Sequence, residues 1–439
     1  MALHGASSRT PDRIHCGSMT SSIFLLVAVL ASADAASDTD AGVGHCSPAP
    51  VGTVRPELDR LERALASSPD DPMLLFEQAI AHAMLCDRER SIRSLSAVSR
   101  TWGGLDPGSF RGFAFMRGDP ELEALVRGVR ARNPPVLSSQ PAYVLAEPGL
   151  FPEGMAFDAR TGRVYAGSAA TQRIVWTDRS GLLHELVPSR AAGLGFPAGM
   201  KVDAARKQLC VASAASFGPG KDIPGAVTGI LCFSLADGRL LRTLRLPAGR
   251  AGFLNDLAID PSTGTLYTTN TSTGAVMQAT RTDAELRELL PDEAAPGANG
   301  IALDPSGRVL FVAGDEGITR VDLRTGKAAR LERAKQIVDG SLDGLYFWKG
   351  ALIGIQNGVH PGRVLRFPLD AQLRRIERME VLEAYAPWIE SPTTGAIDGS
   401  SLLYLSNTQL RRFYGAAAPG DPMPVQVRRI QLSAKRPDP

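Results

Sequence analysis

The sequence has no Cys-x-x-Cys pair, and its five cysteines and six histidines form no common cluster, which argues against a zinc centre. It has no basic stripe either. Lysine and arginine are scattered among aspartate and glutamate, the formal net charge is +2, and there is no electrostatic footprint for nucleic acid. No apolar run approaches the roughly 20 residues of a membrane-spanning helix. The run at 23–31 follows Arg9 and Arg13 and precedes Ala33-Asp34-Ala35. That order reads as a cleavable export signal over residues 1–36, with Met19 as an alternative start and an uncleaved anchor as the competing reading. The mature chain is therefore expected in the periplasm or outside the cell, with no membrane span.

Residues 37–54 are small and polar, carry Pro48 and Pro50, and read as a flexible lead-in. A helical block follows. It opens at Pro56 with Leu58, Leu61 and Leu65 at helical spacing, and further helices are predicted over about 73–85, 88–100 and 120–130. The start-to-start period from Pro56 to Arg88 and the small residues Ala79, Ala81 and Ala83 make this block, 55–132, resemble a degenerate tetratricopeptide array. It serves either as a docking surface for a protein partner or as a structural cap. Asn133-Pro134-Pro135 marks its end.

From 138 to 434 one phrase recurs: a small or polar opener, usually followed by glycine, three alternating residues, then aspartate, a turn and a second strand. It appears at Glu153-Gly154, Ala198-Gly199, Asn255-Asp256, Asn299-Gly300 and Asp343-Gly344, with a weaker sixth copy from Thr393 to Asp398. The openers lie 45, 57, 44, 44 and 50 residues apart, and Thr161-Gly162, Thr263-Gly264 and Ser306-Gly307 supply turns where hairpins need them. Six such four-strand units predict a mainly β fold, a six-bladed β-propeller, preceded by the small helical block. On neighbouring strands Cys210 and Cys232 can pair, leaving Cys46 for Cys86 once Cys16 is cleaved away; the alternative is four buried free thiols.

In a propeller the first strand of each blade is innermost, so all six openers meet on one axial ring. Glu153, Asn255, Asn299 and Asp343 make that ring an all-oxygen donor set with two carboxylates, which suits calcium better than zinc or copper. The bland alternative is that they cap strand ends. The phrases Pro152-Glu153-Gly154, Asn255-Asp256, Asn299-Gly300 and Asp343-Gly344, in this order, resemble the regucalcin/gluconolactonase family of calcium-dependent propellers. The resemblance implies Glu153, Asn299 and Asp343 as metal ligands and Asn255 as a contact to metal or substrate. Two positions depart from the relatives. Phe253 stands where sugar-lactone members carry arginine, which favours a less polar substrate. Ala198 stands where paraoxonases carry histidine, so their histidine base is absent.

The function these residues predict is calcium-dependent hydrolysis of a small-molecule lactone or ester. The ion polarises the carbonyl, Asp343 activates water or attacks directly, and Glu153 holds the ion. Loops after each second strand bring Asn270, Asp315, Asn357, His360 and Asn407 to the same face, with Phe253, Asn270 and His360 as candidate substrate contacts beside Asn255. The insertion at 216–228 is a candidate lid. His184 falls on an outer strand. The competing functions are a non-catalytic propeller with structural calcium that binds a protein or glycan, and a strictosidine-synthase-like condensing or lyase activity.

Overall fold

The computed structural model describes residues 46–100, 103–218, 221–415 and 420–432. The export signal and Cys16 lie outside the described residues. Strand β1 spans Gln140–Leu145, and blade 1 follows as β2 Met155–Asp158, β3 Arg163–Ser168, β4 Arg173–Thr177 and β5 Leu183–Val187. Blade 2 has β6 Phe196–Asp203, β7 Gln208–Ala214, β8 Gly229–Ser234 and β9 Leu240–Arg245, and blade 3 has β10 Leu254–Ile259, β11 Leu266–Asn270, β12 Ala275–Ala279 and β13 Arg287–Leu290. Blade 4 runs β14 Ile301–Leu303, β15 Val309–Ala313, β16 Ile318–Asp322 and β17 Lys327–Arg330. Blade 5 runs β18 Leu342–Trp348, β19 Ala351–Gln356, β20 Arg363–Pro368 and β21 Glu380–Ala384.

Blade 6 is assembled from both ends of the propeller. Its inner strands β22 Gly395–Asp398, β23 Ser401–Leu405 and β24 Val425–Gln431 are completed by β1, which pairs with β24 from Gln140↔Arg429 to Leu145↔Val425. The strand that enters the propeller first thus closes it last, and no long sheet edge remains. All pairs within the six sheets are antiparallel.

The aspartate that ends five of the six phrases recurs because it builds the turn below the inner strand. Asp158 accepts from the Arg160 N–H (3.0 Å) and the Thr161 hydroxyl (2.7 Å), and Gly162 follows in the left-handed region at φ +72°. Asp260 accepts from Ser262 and Thr263, and Asp304 from Ser306, Arg308 and Val309, in the same manner. Between blades the facing residues pack into separate apolar clusters: Tyr165, Met200, Leu209 and Phe233 between blades 1 and 2, and Phe311, Leu345, Leu352 and Phe367 between blades 4 and 5, all fully buried.

The helical region holds α1 Val51–Ser67, α2 Pro72–Met84, α3 Arg88–Ser99, two 3-10 turns at Pro107–Ser109 and Arg111–Met116, and α4 Pro120–Arg132. Asp71, Asp87 and Asp119 cap α2, α3 and α4 with their carboxylates, and Pro72 and Pro120 occupy first-turn positions where no N–H is needed. Two expectations need correction. The first helix begins at Val51, inside the supposed lead-in, and carries Pro56 within it. A tetratricopeptide array is not supported: after α3 the chain forms 3-10 turns in place of a further antiparallel helix.

This region packs on the propeller over blades 4 and 5. Val338 and Val359 join the helical core of Leu61, Phe76 and Leu95. Arg333 pairs with Asp71 at 2.7 Å and Asp339 at 2.6 Å, all nearly buried, and Arg60 joins Glu57 and Glu77 to Glu316 of blade 4. Two disulfides are formed, Cys46–Cys86 and Cys210–Cys232, the second across paired strands β7 and β8. Such bonds belong to an oxidising environment. Among the described residues no helix is long and apolar enough to cross a membrane.

Candidate metal centre and its mouth

Three inner strands carry a β-bulge where the phrase begins: the ladder shifts register between Pro197 and Met200, Leu254 and Leu257, and Leu342 and Leu345. A bulge leaves a residue unpaired and re-aims its side chain. The residues released are Ala198-Gly199, Asn255-Asp256 and Asp343-Gly344. The glycine after the opener is needed because the next blade lies against it. A Cβ on Gly154 would meet the Ala198 carbonyl oxygen at 1.9 Å, on Gly199 the Asn255 oxygen at 2.7 Å, and on Gly300 the Asp343 oxygen at 2.4 Å. Hydroxyls complete the ring. Thr393 and Thr394 donate to the Glu153 carbonyl at 2.8 and 2.9 Å, and Thr269 donates to that of Asn299 at 2.7 Å.

The side chains on this ring are short of partners. Asn255 donates its amide to Thr271 Oγ1 at 3.1 Å, and Asn357 donates to Asp343 Oδ2, yet Oδ1 of Asn255, Asn299 and Asp343 accepts no hydrogen bond. A buried acceptor left so costs about 1–3 kcal/mol. Glu153 and Asp343 are 9% and 4% exposed. Burial, then the carboxylates of Asp343 and Asp256, hold Glu153 well above the usual carboxylate range. Burial lifts Asp343 to about 7, with Asp256 adding to the rise and the amides of Asn357 and Asn299 opposing it. Three orphaned oxygens and two crowded carboxylates are what a hard cation with oxygen ligands would satisfy, so the residues fit calcium. Half of the donor set is amide, and among the described residues no three His, Cys, Asp or Glu side chains gather around one point.

Next to the ring lies a second, internally neutralised layer. Asp256, fully buried, pairs with Lys201 Nζ at 3.3 Å, and Lys201 also sits 5.1 Å from the Tyr346 ring centroid. The Tyr346 hydroxyl accepts the Gly395 N–H, and burial and Asp256 raise its pKa well above normal. A cavity of about 280 Å³ continues between the inner strands, lined by Met155, Lys201, Ile301 and Tyr346 among others.

The loop residues divide. Asn357 belongs to the centre through Asp343. Asn270 is fully buried and spent on the backbone: its Oδ1 accepts the Phe253 N–H at 3.2 Å and its amide donates to Ala251, so it holds the Phe253 loop in place. His360 lies at the seam with the helical region. Its carbonyl accepts the Asp106 N–H at 2.8 Å and its ring meets Phe110 edge-on at 5.7 Å. Burial and Arg411 press its pKa down to about 4, against the pull of Asp106. Asn407 fastens Pro424 and Gln426 of blade 6, Asp315 lies against Gly297, and His184 stacks on Trp176 on the outer strands. Sequence reasoning missed Asp256 and Lys201 as an axial pair. It also missed the aromatic rings around Phe253, although each stands two residues before an opener or in the loops beside it.

No family model matches the chain, and no curated protein matches it. Similar solved structures include a gluconolactonase from Xanthomonas campestris, 14% identical over 67% of this chain and 96% of that one, TM-score 0.47. They also include a calcium-binding regucalcin from Agrobacterium tumefaciens, 18% identical over 68% and 95%, TM-score 0.47. A PQQ-bound aldose sugar dehydrogenase from Streptomyces coelicolor is 16% identical over 68% and 100%, TM-score 0.46.

Proposed function

We propose that this is an exported, calcium-dependent hydrolase of a small-molecule lactone or ester, with the ion held by Glu153, Asn255, Asn299 and Asp343. The observation that carries the reading is the set of three buried Oδ1 atoms without partners on one ring beside two carboxylates. A calcium ion bound there supplies Lewis acidity toward a carbonyl oxygen. Asn357 fixes Oδ2 of Asp343 and leaves Oδ1 turned to the ring as the ion's ligand, which holds the carboxylate where it can accept a proton from a water beside the ion. Glu153 balances charge. Lys201 neutralises Asp256 and so keeps a third carboxylate from competing for the ion. The two disulfides support a location outside the cytoplasm, in the periplasm or beyond.

The test is turnover of a panel of lactones and aryl esters by metal-stripped protein with calcium titrated back. Activity that rises with calcium supports the hydrolase. Absence of turnover across the panel, with calcium still raising the melting temperature, transfers the reading to a propeller with structural calcium that binds a partner.

A further inference from the structure

The residue two before each opener divides the mouth of the ring into unlike halves. In blades 1, 2 and 3 it is Phe151, Phe196 and Phe253; in blades 4, 5 and 6 it is Gly297, Ser341 and Ser391. The aromatic half is extended by Phe217, from the blade 2 insertion, and by Phe413 and Tyr414 at the end of the short helix Leu410–Phe413. Their rings form one connected set. Phe196 lies 5.6 Å from Phe253 and 5.5 Å from Phe217, Phe217 lies 5.3 Å from Phe413, and Phe413 lies 5.7 Å from Phe151 and 5.2 Å from Tyr414.

This set is more than packing. Phe196 is fully buried, but Phe151, Phe217, Phe253 and Phe413 are half-buried and Tyr414 is 44% exposed. An apolar surface left partly open beside a buried polar centre is how a binding site fixes one end of an amphipathic molecule.

Resting on the hydrolase reading, we infer that this wall is the subsite for the apolar group of the substrate, an aryl or unbranched alkyl group of an ester or lactone. Its carbonyl then lies over Glu153, Asn299 and Asp343. Polyhydroxylated lactones are poor ligands there, because five of the six rings are phenylalanine and offer their hydroxyls no partner.

The test uses calcium-loaded full-length protein with two readouts: kcat/KM over 4-nitrophenyl esters from two to eight carbons and over glucono-δ-lactone, and calorimetric binding of 2-octanone, which cannot be hydrolysed. Expected are a rise of about fourfold per methylene, poor turnover of gluconolactone, and measurable ketone binding. Phe217→Ala should cost about tenfold on long esters and weaken the ketone, with a smaller loss on the acetate ester; Phe217→Leu should recover most of the loss. Tyr414→Ala, at an exposed position, guards against misfolding and should act in the same direction. A flat chain-length profile, or variants that cut short and long esters equally, overturns the subsite. Ketone binding that weakens in Phe217→Ala, with no ester or lactone turned over, supports the subsite and removes the hydrolase. No ketone binding removes the subsite whatever the turnover.

Discussion

Asn357 donates its side-chain amide to Oδ2 of Asp343, and Oδ1 of the same carboxylate has no partner. One oxygen is fixed by the protein and the other is presented to the ring. This asymmetry gives the two residues separable roles. Asp343→Asn should abolish calcium-induced stabilisation and lower turnover by roughly a hundredfold or more. Asn357→Leu should keep calcium binding within a few-fold while kcat falls about tenfold, because the carboxylate loses its orientation. Equal loss of calcium affinity in both variants would contradict that division.

Glu153 is buried close to Asp343 and Asp256, an arrangement that costs free energy until a cation balances it. Glu153→Gln should therefore leave the metal-stripped protein no less stable, while removing the rise in melting temperature that calcium produces. The comparison is made by thermal denaturation of both proteins with and without calcium. A large loss of stability in the metal-stripped variant would mean that Glu153 serves the fold.

His360 gives a pH dependence that is independent of the ring. Its folded pKa is about 4 against 6.5 unperturbed, so between those values the unfolded chain binds the extra proton. Stability is then fully present above pH 6.5 and lost as pH falls toward 4, by up to about 3 kcal/mol. The facing charges are Arg411, which deepens the effect, and Asp106, which opposes it. In His360→Gln the slope of melting temperature against pH across this window should be shallower. An unchanged slope would assign acid sensitivity to other groups.

The Cys46–Cys86 bridge spans 40 residues and ties the start of α1 to the turn after α2. In the chain-entropy picture a loop of that length is worth about 4 kcal/mol. Replacing both cysteines with alanine should raise hydrogen exchange in α1, α2 and α3 and leave the inner strands of blades 1 to 3 protected. Uniform change across the chain would show that the helices and the propeller unfold as one unit.

The propeller was legible in the sequence because every inner strand solves the same local problem. Asp158, Asp260 and Asp304 must each build a turn, and Gly154, Gly199 and Gly300 must each admit the neighbouring blade, so the phrase repeats. The ring followed from that repeat. What escaped was non-local. Strand β1 meets β24 across nearly the whole propeller, and nothing in Gln140–Leu145 itself announces the partner. Nothing in the phrase around Lys201 marks Asp256 as its partner, 55 residues away in the next blade. His360 and Asn270 carried the right chemistry for a rim but were claimed by the helical region and by the Phe253 loop. The start of α1 was misplaced because Pro56 reads as a helix opener, whereas the helix already runs from Val51.

The central claim is that the ring of openers is one calcium site. Isothermal calorimetry of metal-stripped protein titrated with calcium tests it most directly, with Asn299→Ala and Asp343→Asn alongside. The account predicts one ion bound per chain in the wild type and none in either variant. No heat of binding, or binding that both variants retain, would contradict it.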